Sequence, residues 1–285
     1  MKIKTLSPER EEFFQIISTI AYMPKTLYYI GKVPSGRLPV VAVVGTRKPT
    51  SYGKEVTFNL AYNLAKKGVV IVSGLALGID AIAHRAALEA GGTTIAVLAN
   101  GLDAIYPASH KALADQIIAK GGMIISEYPP ETPARDFQFL ARNRIVSGIA
   151  DAVIVTEAAA RSGTLATVAH ALDQNRDVFA VPGNITSPMS VGPNRMILQG
   201  AQPVIDADDV LHVIAPHLID VQTSLNLGST PTEIAIIDLL QQGIRDGDSL
   251  QQQSGVSASE FMQAMTMLEV GGLVRSLGGN QWTVV

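Results

Sequence analysis

Val40-Val41-Ala42-Val43-Val44-Gly45-Thr46-Arg47 is a five-residue apolar run that breaks into a glycine turn ending on an arginine. A run with no polar position marks a strand buried on both faces, as in a parallel sheet covered by helices. The arrangement returns twice. Val69 to Val72 leads into Ser73-Gly74-Leu75-Ala76-Leu77-Gly78, and an apolar run at 152–156 is followed by Arg161-Ser162-Gly163-Thr164. In an open parallel sheet such turns gather along one rim, where backbone N–H groups and helix N-termini face outward and suit phosphate. The first and third turns each add an arginine, and Arg142-Asn143-Arg144 adds two more.

Outward from these turns the pattern alternates. Strands are predicted at 26–30, 40–44, 69–72, 94–98, 123–126, 152–156 and 177–181. Helices are predicted at 8–21 (Ser7 as N-cap, Pro8 at the first position), 53–66, 79–90, 109–120, 139–149 and 164–174. Strands alternating with helices of this length predict an α/β fold with an extended Rossmann-like, doubly wound, mostly parallel sheet. Two loops interrupt the rhythm. Gly101 to Pro107 contains Asp103 and Tyr106, and Tyr128 to Gln138 holds Pro129, Pro130 and Pro133, too stiff for a helix. Loops of this length in a compact domain are often functional. A Ser/Pro/Gly-rich stretch follows Pro182-Gly183-Asn184, and a short helix and a strand near 203–205 close the domain.

The texture changes near the C-terminus. Helical periodicity at 232–242, 247–254 and 257–270 precedes two short β-prone runs around Gly278-Gly279-Asn280. Three helices and a hairpin in so short a span predict a winged helix-turn-helix. The expected organisation is a main domain over 1–220, with 1–38 as a short N-terminal extension, a linker at 221–231 and a small winged-helix domain at 232–285.

Composition narrows the function. Of 285 residues, 47% are apolar and 16% charged, so a large core is expected and global disorder is not. The absence of cysteine removes disulfides and thiolate metal sites and fits a reducing cytosol. The N-terminal Met1-Lys2-Ile3-Lys4 leads into a segment with Glu9, Glu11 and Glu12, not into an apolar signal region. No apolar run approaches the roughly 20 residues of a membrane span, so a cytoplasmic location without membrane contact is expected. The net charge of −3 argues against nucleic-acid binding until it is mapped. Residues 229–285 carry 2 Lys+Arg (Arg245, Arg275) against 6 Asp+Glu, which leaves residues 1–228 at +1. A near-neutral domain can hold a local basic groove, and it is the local field that a phosphate senses.

The chemistry of each motif has a bland and a sharp reading. Gly45-Thr46-Arg47 is not a dinucleotide fingerprint, because the next glycine is Gly53. It reads either as a plain βα turn with Ser51 capping the helix, or as a phosphate site with Arg47 at the carboxyl end of a buried strand. In the second turn, Ser73 offers a hydroxyl and two glycines allow close backbone approach. Asp80 and His84 share a helix face at i,i+4, but no third ligand is in register, so helix packing is favoured over a metal. Arg142 and Arg144 follow Phe137 and Phe139, cations for a backbone beside rings for stacked bases; the alternative is a solvated helix face with buried Phe. Ser162 lacks the His/Asp spacing of a nucleophile elbow, so Ser162-Gly163-Thr164 reads as neutral phosphate donors. No catalytic residue, metal or cofactor is assigned. The presumed recognition helix of the winged segment, Ser257 to Glu269, has no Lys or Arg and several Met, which points to protein contact over DNA.

The motifs together resemble the DprA (Smf) family of bacterial DNA-processing proteins. The similarity rests on Val41-Ala42-Val43-Val44-Gly45-Thr46-Arg47, Tyr52-Gly53, Val72-Ser73-Gly74-Leu75-Ala76-Leu77-Gly78-Ile79-Asp80, Ala83-His84, Gly101-Leu102-Asp103 and Tyr106-Pro107. Further matches are Ser126-Glu127-Tyr128-Pro129, the Arg142-to-Gly148 segment, Arg161-to-Leu165 and Val178-Phe179-Ala180-Val181-Pro182-Gly183. The resemblance implies a homodimer that binds single-stranded DNA, protects incoming strands, and helps load the RecA recombinase during natural transformation and recombination. The site it implies comprises Gly45, Thr46, Arg47, Ser73, Gly74, Arg135, Phe137, Phe139, Arg142, Asn143, Arg144, Arg161, Ser162, Gly163 and Thr164. One departure is visible: Phe139-Leu140 stands where the family has Phe-Pro. The competing reading is a hydrolase of nucleotide N-glycosidic bonds on a related fold. Such enzymes resembling phosphoribohydrolases carry a glutamate after their Gly-Thr turn, and no glutamate follows Thr164 within its helix. A winged-helix transcription factor is disfavoured by the acidic C-terminal segment.

Overall fold

The computed structural model describes residues 2–219 and 230–284. The chain divides into two units, residues 1–219 and 220–285. The expected linker at 221–231 falls mainly on 221–229, outside the described residues, while Thr230 caps and Pro231 opens the first helix of the second unit.

The first unit is built on one nine-stranded sheet. Its strands are β1 (Lys4–Leu6), β2 (Leu27–Gly31), β3 (Val40–Val44), β4 (Val70–Ser73), β5 (Thr94–Leu98), β6 (Met123–Ser126), β7 (Ala152–Val155), β8 (Asp177–Ala180) and β9 (Gln202–Pro203). Their spatial order is β1-β2-β6-β5-β4-β3-β7-β8-β9. From β6 to β9 all neighbours are parallel; β2 pairs antiparallel with β6 and β1 antiparallel with β2. The sheet is therefore mostly parallel and doubly wound. From β3 the chain winds outward through β4, β5 and β6, then crosses back to place β7 on the other side of β3. The topological switch point lies between β3 and β7, the place where ligands bind outside the carboxyl ends of an open α/β sheet.

Helices α1 (Ser51–Lys66), α2 (Ile79–Glu89), α3 (Lys111–Ala119), α4 (Asp136–Ile149), α5 (Thr164–Asp173), α6 (Val191–Leu198) and α7 (Ala207–Ile214) cover both faces. The period of two within each strand divides the core. Val40, Ala42 and Val44 point to the face carrying Ile145, Val146 and Ile149 of α4, Ala171 of α5 and Phe13, Phe14 and Ile17 of the N-terminal segment. Val41 and Val43 point to the opposite face with Leu60 and Leu64 of α1, Ala83 and Ala86 of α2, and Val210 and Leu211 of α7.

The structure corrects several local expectations. The predicted helix at 8–21 consists of two 3-10 segments, Pro8–Arg10 and Glu12–Thr19, and the Ser7 side chain makes no cap. Thr50, not Ser51, caps α1: its hydroxyl accepts from the Gly53 N–H at 3.2 Å. Helix α4 starts at Asp136, three residues before the predicted 139, because Pro133 is the last proline upstream and Asp136 suits the positive end of a helix. Helix α7 and strand β1 are additions to the expected set.

The second unit has helices α8 (Pro231–Gln241), α9 (Gly247–Ser254) and α10 (Ala258–Val270), then a hairpin of β10 (Val274–Gly278) and β11 (Gln281–Val284). Ile236, Ile237, Leu240, Leu250, Phe261, Met265 and Leu268 form its own core, giving a winged-helix domain.

Candidate nucleic-acid interface

The turns after β3, β4 and β7 meet. A cavity of about 540 Å³, open to solvent, is lined by Gly45, Thr46, Arg47 and Lys48 of the first turn, Gly74, Ala76 and Asp80 of the second, and Ser162, Gly163 and Thr164 of the third. Helix α4 forms another wall through Phe139, Leu140, Arg142, Asn143 and Val146. The cavity thus sits over the switch point, with α5 opening onto it.

Each turn is held by a different device. The first is tied to its neighbours by backbone: the Thr46 N–H donates to the Glu157 carbonyl at 2.7 Å, and the Ile79 N–H donates to the Thr46 carbonyl at 3.2 Å. A Cβ at Gly45 would stand 2.7 Å from Ile79 Cγ1, so only glycine fits that contact. Glu157 lies buried behind the turn and accepts from the Thr50 N–H at 2.9 Å and from the Thr50 hydroxyl. Arg47 and Lys48 remain exposed at the cavity mouth.

The second turn is organised around a buried charge pair. Asp80 is 7% exposed and Arg142 4%. One Asp80 carboxylate oxygen accepts from the Gly74 N–H at 3.0 Å and the Ala76 N–H at 3.3 Å. Arg142 Nη1 donates to the Gly74 carbonyl at 2.8 Å and to the Val97 carbonyl. Burial raises the Asp80 carboxyl above its ordinary range, while Arg142 and the two amides pull it back. Burial likewise lowers the Arg142 guanidinium to about 10, and Asp80 opposes that shift. The glycines serve this packing. A methyl at Gly74 would run into the Arg142 guanidinium, and one at Gly78, at φ +81°, into the Thr46 carbonyl. Leu75, buried at φ 56°, accepts through its carbonyl from the His110 ring N–H at Nδ1, at 2.8 Å.

The third turn is open. Ser162 Oγ accepts from the Thr164 N–H at 3.2 Å and lies 3.0 Å from Thr164 Oγ1. A Cβ on Gly163 would meet nothing nearer than Leu140 Cδ2 at 3.9 Å.

Against this geometry the sequence-predicted residues sort unevenly. Gly45, Thr46, Arg47, Gly74, Phe139, Arg142, Asn143, Ser162, Gly163 and Thr164 line the cavity together. Ser73 does not: it is fully buried and its hydroxyl donates to the Val43 carbonyl at 2.7 Å. Arg144 points elsewhere, forked onto Glu127 at 2.6 Å through both amino groups, with further bonds to the Tyr22 and Ala141 carbonyls. That contact raises its pKa. The expected pair of phosphate-seeking arginines in Arg142-Asn143-Arg144 is therefore corrected: one guanidinium braces two carbonyls inside the protein and the other is an ion-pair partner. Arg135 flanks the start of α4 and Arg161 lies before α5; both are exposed and neither lines the cavity. Phe137, 63% exposed, also stands outside it. Phe139 is the ring at the cavity. It lies 5.6 Å beneath the Arg47 guanidinium and 5.3 Å from the Tyr106 ring.

Tyr106 and Lys48 are the site residues that motif reading missed. The signal for Tyr106 was an aromatic in the long loop 101–107, which folds beside Arg47, Gly74 and Phe139. Lys48 simply continues the first turn.

Comparison with known proteins agrees with this architecture. Residues 4–215 match the family model for DNA recombination-mediator protein A, and 223–280 match the DprA winged helix domain. Protein Smf of Escherichia coli is 43% identical over 208 residues, covering 72% of this chain and 55% of that protein. DNA processing protein DprA of Bacillus subtilis is 46% identical over 170 residues, 60% of this chain and 57% of that one. The chain thus spans little more than half the length of these curated relatives. Among solved structures, DprA from Streptococcus pneumoniae superposes with a TM-score of 0.70 at 41% identity, covering 75% of each chain. DNA processing protein A from Helicobacter pylori, solved to describe its single-stranded DNA binding mode, gives 0.65 at 35% identity, covering 74% of this chain and 95% of that one. The chain belongs to the DNA recombination-mediator protein A family, the DprA/Smf proteins.

Proposed function

We propose that this protein binds single-stranded DNA in the cavity over the β3–β7 switch point and acts there as a recombination mediator, without chemical turnover. One observation carries the reading. Three backbone turns, two exposed cations (Arg47 and Lys48) and the Phe139 ring surround a single open cavity, and Tyr106 lies against Phe139 in an adjoining pocket. Cations and N–H donors suit phosphates, and rings of this kind stack on bases of any sequence. The Helicobacter pylori relative is described by its single-stranded DNA binding. Loading of the RecA recombinase, protection of incoming strands and homodimer formation belong to the same proposal and rest on family membership. Turnover is disfavoured because the carboxylates nearest the turns are already engaged, Asp80 by two amides and Glu157 by Thr50.

The test is affinity for an oligothymidylate at several salt concentrations. With about −0.7 per neutralised phosphate for single strands, Arg47 and Lys48 predict a log–log slope of about −1.4 or steeper. Arg47→Ala makes it shallower by about 0.7. A slope near zero, or equal affinity for blunt duplex, refutes the reading. Release of a free base from a mononucleotide incubated with the protein refutes the absence of turnover.

A further inference from the structure

We infer that the Asp80 carboxylate is the resident anion of the second turn, so that a bound strand seats its phosphates on the first and third turns only. This rests on the single-stranded DNA reading above and specifies its register.

Glycine turns at the carboxyl ends of parallel strands attract phosphate because successive N–H groups converge on one point. At the second turn that point is taken. The Gly74 and Ala76 N–H groups both donate to one oxygen of Asp80, which reaches back from the first turn of α2. The carboxylate is buried, so the amides cannot exchange it for a ligand without exposing a charge or moving α2. Arg142 completes the unit from the other side, buried and holding the Gly74 and Val97 carbonyls. Its guanidinium is thus engaged inside the protein. The second turn and Arg142 therefore form a closed, near-neutral wall of the cavity and not a phosphate ligand.

Topology favours the same division independently. The switch point lies between β3 and β7, whose following turns are the first and the third. Those two turns carry the exposed cations and the unobstructed glycine: Arg47 and Lys48 on one side, Gly163 on the other. The second turn follows β4, one strand removed. Asp80 is thus a specificity-determining residue. By filling the seat beside the switch point it removes one binding position for a compact polyphosphate and leaves two positions along a line, as an extended strand requires.

The experiment uses the full chain labelled with nitrogen-15 and titrated with an oligothymidylate. Expected are shifts of the Arg47 and Gly163 amides, with Gly74 and Ala76 unmoved. Gly74 and Ala76 shifts as large as those of Arg47 and Gly163 overturn the inference while leaving DNA binding intact. The absence of shifts at every rim amide removes the binding reading and this register with it. In Asp80→Asn the countercharge of Arg142 is lost, so the salt slope steepens by about 0.7, one further phosphate. An unchanged slope in a folded variant also overturns it. Should that variant not fold, the wild-type titration decides alone.

Discussion

At the residue scale, the glycines of the rim do opposite work. Gly74 and Gly78 were readable as glycines that let a backbone come close, and they do, but the close approach is inward, to Arg142 and to the Thr46 carbonyl. Gly163 faces open space at φ −59°, ψ −19°, a conformation any residue adopts. A paired prediction separates the roles. Gly78→Ala forces a φ of +81° on alanine and drives its methyl into backbone that cannot rotate away. It loses about 2 kcal/mol or more, on the order of 5 °C in melting temperature for a domain of this size. Gly163→Leu leaves the melting temperature within about 2 °C, since no contact is displaced, yet fills cavity volume and weakens oligothymidylate binding about tenfold or more. Calorimetry and binding on the same two preparations check both; a destabilised Gly163→Leu with unchanged affinity contradicts the assignment. Charge was harder to read than glycine. A sequence shows that Arg142 and Arg144 are cations; it does not show that Arg142 is buried against the Gly74 carbonyl or that Arg144 pairs with Glu127. Partner identity is tertiary information, which is why the engagement of these two arginines was not legible.

At the element scale, the parallel strands and their crossover helices were legible because their sequences are extreme. Val40 to Val44 has no polar residue, and helix ends carry Gly68, Gly91 and Gly121 at positive φ. Elements lacking that signal were lost. Strand β1 is three residues at the sheet edge with only Leu6 buried, too short for an alternation to register. The N-terminal segment buries Phe13, Phe14 and Ile17 as 3-10 turns, a periodicity that resembles an α-helix over so few residues. Helix α7 was missed although Asp206 and Asp209 form a capping box, each side chain bonding the other's backbone. The winged-helix elements were legible from helical periodicity, and in α10 Ser257 and Glu260 cap each other. Helix α10 also carries a prediction. Its exposed Met262, Met267 and Val270 accompany Glu260 and Glu269, and it contains neither Lys nor Arg. A helix of that composition meets no phosphate attraction in a major groove. Residues 229–285, which enclose their own core, should give no mobility shift with a duplex at about 0.1 M salt, where non-specific binders still bind; a shift there would show that charge does not govern this domain's contacts.

At the scale of the whole molecule, the sheet places a second buried polar cluster behind the cavity wall, and it ties stability to pH. His84 of α2 is fully buried. Its Nδ1 lies 2.7 Å from Thr94 Oγ1, and that hydroxyl donates to the Ile71 carbonyl at 2.7 Å. One hydroxyl hydrogen cannot serve two acceptors, so Nδ1 carries the proton and donates. Nε2 has no partner and is held unprotonated. Burial, then the neighbouring His110 and Arg142, push the His84 pKa down to about 3. In the unfolded chain a histidine titrates near 6.5. Between those values the unfolded state binds a proton that the folded state refuses, so stability falls as pH falls through this window. At about pH 5 the loss from His84 alone is on the order of 2 kcal/mol relative to neutral pH. His84→Asn keeps an N–H donor close to the Nδ1 position and cannot titrate. Urea unfolding of both proteins at pH 7.5 and about pH 5 isolates the effect from the carboxylates common to both. The variant is expected to be the less stable of the two at pH 7.5, because it leaves space where the ring was. It should recover on the order of 2 kcal/mol against the wild type at about pH 5. A stability difference that does not move with pH would mean that His84 takes up its proton in the folded protein, and that the wall behind the cavity opens to admit it.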